Sequence, residues 1–366
     1  MEFTARKKLR EGITTGSCAA AAAQASALRA LGRPCPQQVQ ITTPQGRILS
    51  LPVLPLAQGA CGVVKDAGDD PDATDGMTVV AQVQLLEDGS GILFRAGEGV
   101  GTVTLPGLKV PVGEAAVNPV PRRMITEALH SVLGSRGALV TLSIPGGAER
   151  AAHTFNPRLG IEGGLSILGT TGIVRPMNEE AIFESLTLEL STHAAAAEKV
   201  LALTFGNTGE QTLRKAWDIT GRRVVQVGNY LGYVLDEAVR LGFERILLCG
   251  HPGKLLKVAA GTFSTHNRTG DGRLEALCTH AALAGCGTDV VRQLYASSTT
   301  EQAMEVLRER ELDFLWSRLA EAAAKRCRDR AFNDIAVETA FIDKDSHILG
   351  SSSGAASFAE ELRHGQ

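Results

Sequence analysis

Val200-Leu-Ala-Leu-Thr-Phe-Gly-Asn-Thr-Gly209 and Arg245-Ile-Leu-Leu-Cys-Gly-His-Pro-Gly253 decide how the chain folds. Each opens as a short apolar run, stops at a glycine-bearing turn and passes into a helix-forming stretch. A strand without polar alternation is buried on both faces, as in a parallel sheet covered by helices. The same grammar recurs at Leu165–Leu168 with Gly169-Thr170-Thr171-Gly172, and at Val224–Val227 with Gly228-Asn229. Four such units predict a mostly parallel sheet, whose ligands bind at the carboxyl ends of the strands. Beyond them, helices are expected over Glu275–Leu283 and Thr300–Lys325, then a strand at Ile335–Ile342 that could return to an earlier sheet. Residues 351–366 read as a flexible tail.

Upstream of Pro145-Gly146-Gly147 the pattern differs. An alanine run after Thr14-Thr15-Gly16-Ser17-Cys18, ending at Leu31-Gly32, predicts a helix with a hydroxyl cap and a glycine stop. Val39–Thr42 and Arg47–Val53 form an expected hairpin, with strands at Gly62–Lys65, Thr78–Leu85, Gly91–Arg95 and Ala138–Ile144 and a helix after Asn118-Pro-Val-Pro121. The fold class is therefore α/β in two domains. An α+β domain, a two-layer sandwich, covers 1–150, and a three-layer domain with a mostly parallel sheet covers 151–350.

The composition of the 366 residues removes several functions. With 37 Lys+Arg against 40 Asp+Glu, net −3, the chain lacks the basic balance of a general nucleic-acid binder. Its 11 Phe, 3 Tyr and 2 Trp are too few for a base-stacking platform. No apolar stretch approaches the ~18 residues of a membrane span, and Met1–Arg10 lacks the apolar core of a signal peptide. Seven Cys without a C-x-x-C pair fit a reduced, cytoplasmic setting better than a zinc ribbon or disulfide framework. The 40 glycines, about 11% against a usual ~7%, point to turns and backbone-lined sites.

Three motifs fail their physical context. Gly97-Glu-Gly-Val-Gly101 resembles a nucleotide loop, but Thr102-Val103-Thr104-Leu105-Pro106 cannot start the helix such a loop requires. Gly253-Lys254 lacks the earlier Gly and following Ser/Thr of a P-loop. Asp345-Ser-His347-Ile-Leu-Gly350 fits D-x-H-x-x-G, the pattern by which corrinoid-carrying modules offer a histidine to cobalt, yet only 16 residues follow; it reads as a surface turn.

Other constellations keep two readings. Between Ile246 and Gly270 stand Lys254, Lys257, Arg268, His251 and His266 with no acid, either a seat for a polyanion or a solvated helix face. Asn118-Pro-Val-Pro-Arg122-Arg123 and Phe155-Asn-Pro-Arg158 could hold carboxylates or cap helices. The acidic run Asp66-Ala-Gly-Asp69-Asp70-Pro-Asp72, closing at Asp75-Gly76, is a solvated loop or a site for a cationic ligand group.

Several blocks together resemble the CbiD family: Gly12-Ile-Thr-Thr-Gly-Ser-Cys18, Val64-Lys-Asp-Ala-Gly-Asp-Asp-Pro-Asp72, Asn118-Pro-Val-Pro-Arg-Arg123, Thr154-Phe-Asn-Pro-Arg158, Gly163-Gly-Leu-Ser-Ile-Leu-Gly-Thr-Thr-Gly172 and His251-Pro-Gly-Lys254 with Thr265-His-Asn-Arg268. They run in order from residue 9 to about 273, whereas the last ~90 residues resemble the family only in layout. The resemblance implies a smaller α/β sandwich beside a Rossmann-like three-layer domain. It also implies methyl transfer from S-adenosylmethionine, a cosubstrate, to ring carbon 1 of the cobalt-containing tetrapyrrole cobalt-precorrin-5B, in the oxygen-independent route to cobalamin. Cobalt would arrive within the substrate, so no protein-bound metal is expected; homo-oligomerisation stays open. Departures at Ser17, Thr208, Gly228-Asn229-Tyr230 and Pro252 touch no charged group.

Under that resemblance, a flat, carboxylate-edged substrate needs a cationic rim. Lys254, Lys257, Arg268, Arg122 and Arg158 are the candidates, with backbone N–H groups of Thr15, Gly16 and Ser17 at a helix start. Gly169, Thr170, Thr171, Gly172, Gly206, Asn207, Glu210 and Asn229 would line the cofactor cleft. Glu210 would take ribose hydroxyls, and Asp66 and Asp69 would face the cofactor's positive end. His251 or His266 is the candidate base for proton loss. A non-catalytic corrinoid-binding chaperone and an atypical small-molecule kinase are the competing functions.

Overall fold

The computed structural model describes residues 9–176, 179–219 and 223–364. The chain divides into two compact units, Met1–Ser185 and Leu186–Gln366.

The first unit runs β1 (Gly12–Ile13), α1 (Thr15–Ala30), β2 (Gln38–Thr42), β3 (Ile48–Pro52), β4 (Leu54–Pro55), β5 (Cys61–Val64), β6 (Thr78–Asp88), β7 (Ile92–Ala96), β8 (Thr102–Val103), α2 (Pro119–Leu133), β9 (Arg136–Ser143), α3 (Gly147–Ala151), β10 (Ile161–Glu162) and β11 (Ile173–Val174). A helix, α4 (Glu179–Ala195), crosses into the second unit. The first unit's main sheet has the order β4-β5-β6-β9-β7, antiparallel except where β7 pairs with β9; β2 and β3 form the expected hairpin.

Helix α1 begins where Thr14 accepts a hydrogen bond from the Ser17 N–H, a hydroxyl cap that satisfies one of the four orphan donors. Its alanines at 19–23, 25 and 27 are buried. Because alanine adds nothing beyond Cβ, α1 packs closely on both β6 and α2. Ser26 pins it to the sheet, donating to Gly59 O at 3.0 Å and accepting from Val83 N at 2.9 Å.

The boundary expected at 150 lies instead at 185, and the cause is specific. Leu165–Leu168 is no strand of a parallel sheet: it makes only the isolated bridges Val100↔Leu165 and Val117↔Ile167, and both buried side chains join the first unit's core. Gly97–Gly101 is a turn, and a Cβ at Gly147 or Gly164 would strike Gly99 O at 2.3 or 2.2 Å. Three glycine backbones therefore meet where side chains would not fit.

In the second unit follow β12 (Val200–Thr204), α5 (Asn207–Trp217), β13 (Val224–Gln226), α6 (Leu231–Leu241), β14 (Arg245–Gly250), α7 (Pro252–Ala259), α8 (Arg273–Leu283), α9 (Thr288–Tyr295), α10 (Thr300–Glu309), α11 (Leu315–Arg330), β15 (Ala336–Ile342), β16 (Ile348–Ser351) and α12 (Ala355–His364). The sheet order is β13-β12-β14-β15-β16, parallel through β15 and antiparallel at β16. Alternate residues point into two separate cores. Leu201, Leu203, Ile246, Leu248 and Phe341 face one with α6, α7, α8 and α11, whereas Ala202, Leu247, Cys249 and Ala340 face the other with α5 and α12. Helices therefore cover both faces, and each large aliphatic side chain buried there contributes at most about 1.5–3 kcal/mol.

Two further expectations are corrected. The strand expected at 335–342 does not return to the first unit; β15 sits between β14 and β16. Nor is the described part of the expected tail, 351–364, loose: Ala355, Ala359 and Leu362 recur at helical spacing and are buried against the sheet. No described helix is long and apolar enough to cross a membrane.

Candidate active site

Parallel pairing sets the carboxyl ends of β12, β13, β14 and β15 along one edge of the second unit's sheet. The chain leaves β12 for β13 on one side, then crosses back to β14 on the other, so the strand order reverses between β12 and β14. Ligands of open α/β sheets bind in the crevice at such a reversal.

Three loops furnish this edge. After β12, Gly206 opens α5, and a Cβ there would meet nothing within 4 Å. Gly209 must be glycine because a Cβ would lie 2.7 Å from the Thr204 side chain. Gln226, at the end of β13, donates from Nε2 to Asn207 Oδ1 at 2.9 Å and to Glu210 Oε2 at 2.6 Å, fixing both at the first turn of α5. Gly228 follows at φ +58°, also facing open space. Asn229 accepts from Thr265 twice, backbone to backbone at 3.0 Å and from Thr265 Oγ1 to its Oδ1 at 3.2 Å. That clasp holds the 264–269 loop against β13's exit, and with it His266 and Arg268.

After β14, His251 caps α7. Its Nδ1 accepts the Gly253 N–H at 3.2 Å, and Nε2 stands 3.9 Å from Glu301 Oε1. Burial pushes this imidazole below its ordinary pKa, with Glu301 and Asp343 opposing. Lys254 ties all three loops together. Its Nζ donates to Gly228 O at 3.1 Å and lies 5.6 Å from the centre of the Phe205 ring. Burial, with neighbouring Lys257, pushes the Lys254 ammonium down. A partly desolvated cation over an aromatic face attracts anions more strongly than one in water.

His266 and Arg268 are exposed on the same clasped loop, where His266 Nδ1 accepts the Arg268 N–H at 3.1 Å. The Arg268 guanidinium has no protein partner among the described residues. Lys257, expected on the rim, is instead fully buried, donating to Thr265 O at 3.2 Å and Asn267 Oδ1 at 3.0 Å. It folds the loop and offers nothing to a ligand.

The remaining expected residues lie in the first unit. Thr15, Gly16 and Ser17 are buried, and the backbone donors of Gly16 and Ser17 are spent within the protein. Gly16 N–H donates to Leu168 O at 3.0 Å, Thr15 Oγ1 accepts Leu168 N–H at 2.9 Å, and Ser17 Oγ donates to Gly172 O at 2.6 Å. The start of α1 thus binds the chain's own 168–172 loop in place of a carboxylate. Gly169 abuts the Thr14 side chain, Gly172 lies against Ser17 and Thr43, and Thr171 turns back onto Ile173; exposed Thr170 sits between them. This loop ends no parallel strand, because Leu165–Leu168 is not one.

Arg122 is committed too. It donates from Nε to Val117 O at 2.8 Å and from Nη2 to Ala115 O at 3.1 Å, pairs with Glu114 at 2.6 Å and stacks 5.2 Å above Phe94. Arg158 is half-buried beyond a turn whose buried Asn156 bonds Gly164 O and Ser166 Oγ. In the acidic loop Asp66 pairs with Arg10, Asp69 accepts the Arg10 N–H at 2.7 Å, Asp75 accepts the Ala67 N–H at 2.8 Å and Asp72 pairs with buried Lys65. The loop braces β1, since Ile13 N–H donates to Asp66 O at 2.8 Å. Asp345–His347 lie in the turn between β15 and β16 and Ile348–Gly350 in β16 itself, with His347 exposed and hydrogen-bonded to Asp343. No group of three or more His, Cys, Asp or Glu among the described residues is placed to hold a metal ion.

Sequence reasoning missed Gln226, Phe205 and Glu301. Only the first left a signal: a lone polar residue closing an apolar strand.

The sequence models of CbiD and of the CbiD C-terminal domain match residues 2–176 and 264–353. The cobalt-precorrin-5B C(1)-methyltransferase of Alkaliphilus metalliredigens (strain QYMF) is 42% identical over 364 residues, covering 98% of this chain and 96% of that protein. The protein of the same name from Photorhabdus laumondii subsp. laumondii is 44% identical over 366 residues, with coverage of 98% and 96%. A 1.9 Å crystal structure of a cobalamin biosynthesis protein (cbiD) from Archaeoglobus fulgidus is 32% identical, covers 76% of this chain and 85% of that one, and superposes with a TM-score of 0.39, too low to compare architecture. Identity above two-fifths over nearly the whole of both chains leaves one assignment: the chain belongs to the CbiD family.

Proposed function

We propose that this chain is a C-methyltransferase that methylates ring carbon 1 of cobalt-precorrin-5B, giving cobalt-precorrin-6A in anaerobic cobalamin biosynthesis. The observation that carries the reading is the full-length identity to relatives bearing that activity in their names. The second unit supports it with the right kind of edge: cations and N–H donors at a strand-order reversal, with glycines that leave room for a ligand.

In this reading the second unit is the Rossmann-like domain and the first the α/β sandwich. S-adenosylmethionine, when bound, supplies the methyl group on a sulfonium. The residues fit that cosubstrate. Gly206 and Gly228 leave open space at the strand exits, and Glu210, oriented by Gln226, presents a carboxylate to ribose hydroxyls. Asn207 and Asn229 flank it. Lys254 and Arg268 hold substrate carboxylates, so the macrocycle is fixed by its rim while its reacting carbon stays free. Positioning and exclusion of water supply most of the acceleration, because the nucleophile belongs to the substrate.

The test is anaerobic incubation of the chain with cobalt-precorrin-5B and methyl-labelled S-adenosylmethionine, beside a relative of proven activity. Label is expected at ring carbon 1. If the relative labels the macrocycle and this chain does not, the reading fails.

A further inference from the structure

The two histidines at the second unit's sheet edge share one arrangement. Nδ1 of His251 accepts the backbone N–H of Gly253 at 3.2 Å, and Nδ1 of His266 accepts that of Arg268 at 3.1 Å. A backbone N–H can only donate, so each Nδ1 must present its lone pair. A neutral imidazole has one such lone pair, and its remaining nitrogen carries the proton. Both rings are thereby locked as Nε2–H tautomers. Neither Nε2 has a hydrogen-bond acceptor within reach among the described residues; the nearest recorded for His251 is Glu301 Oε1 at 3.9 Å.

A base needs a free lone pair. Here the only one on each ring is occupied, and placing a proton there would set two N–H groups head to head and break the cap of α7 or the turn at 266–268. What each ring offers is a donor. Beside these donors stand the Lys254 ammonium, with one proton on Gly228 O, and the Arg268 guanidinium. The edge thus presents donors and cations and no imidazole lone pair.

From this we propose that His251 and His266 serve the ligand as neutral hydrogen-bond donors through Nε2–H, reading carboxylates of a polyanionic macrocycle, and that neither accepts a proton. The proposal rests on the reading of this edge as a substrate site, but its first test does not. In uniformly 15N-labelled full-length protein at neutral pH, long-range 1H–15N spectra assigned with His251→Asn and His266→Asn should show both rings protonated at Nε2 alone. An Nδ1–H tautomer at either position overturns the proposal.

The second test separates donation from folding. Asparagine caps helices as well as any residue, so His251→Asn keeps the Gly253 contact and removes the ring donor. Absorbance titration would compare a cobalt corrinoid polycarboxylic acid with its methyl ester. The wild type should prefer the acid by about a hundredfold, and each variant should lose roughly tenfold of that preference, the worth of one hydrogen bond to a charged group. An unchanged preference in both variants overturns the proposal. If the methyl-transfer reading fails but both results hold, the edge is still an anion receptor.

Discussion

The acidic loop of the first unit and the basic edge of the second each gather charge of one sign, and they use it oppositely. In the loop, Asp66, Asp69, Asp72 and Asp75 each accept from a residue of the same unit. At the edge, Arg268 has no protein partner among the described residues, Lys254 spends one proton of three, and both histidines keep Nε2–H unused. Charge density alone therefore does not mark a site. What marks it is donors that folding leaves unspent.

The largest effect should come from Asp72→Asn, which leaves the Lys65 ammonium, 1% exposed, without its counter-charge. Breaking such a buried pair costs about 3–5 kcal/mol, read as a fall in the urea midpoint. Burial alone would raise the Asp72 carboxyl, but Lys65 and Thr74 outweigh it and hold the group below its usual range. Its contribution is thus present above the unfolded value of about 3.9 and lost as pH falls through the folded one. The wild-type midpoint should drop from about pH 5 to about pH 3, and Asp72→Asn should flatten that slope. A stable variant with an unchanged slope would make the loop as uncommitted as the edge.

Next is Lys254→Ala. Loss of one hydrogen bond to a charged group, about 1.5–3 kcal/mol, should weaken macrocycle binding ten- to a hundredfold while S-adenosylmethionine binding changes little. Calorimetry on both ligands decides it, and equal loss of both would break the contrast. Smallest is Asp66→Asn. Its partner Arg10 is exposed, so thermal melting should be indistinguishable from the wild type.

The sequence disclosed β12 and β14 because both faces of each strand are buried, which removes polar alternation. It misled at Leu165–Leu168, where a similar short, mostly apolar run before a glycine loop is held by two isolated bridges. A run's composition reports its burial, not which partner buries it. Helix α12 escaped because five apolar residues scattered among sixteen, of which Ala355, Ala359 and Leu362 are buried, look like noise until the sheet face they cover is known. Among the cations, Lys254 and Lys257 are indistinguishable on paper. The fold of the 262–269 loop buries one and leaves the other at the strand exits. Arg122 likewise looked like a rim residue because its acceptors, Ala115 O and Val117 O, are backbone atoms that carry no sequence signature.

Helix α1 has a consequence for anyone who surveys this protein by mutation. Seven alanines stand where even an added methyl group must displace a strand or a helix, and overpacking of that sort costs about 1–3 kcal/mol. A saturation scan would mark the strip from 19 to 27 as intolerant, as sharply as any reaction centre. Selection acting on the family would leave the same trace. An observer guided by intolerance alone would go looking for chemistry in a strip whose contribution is to be thin.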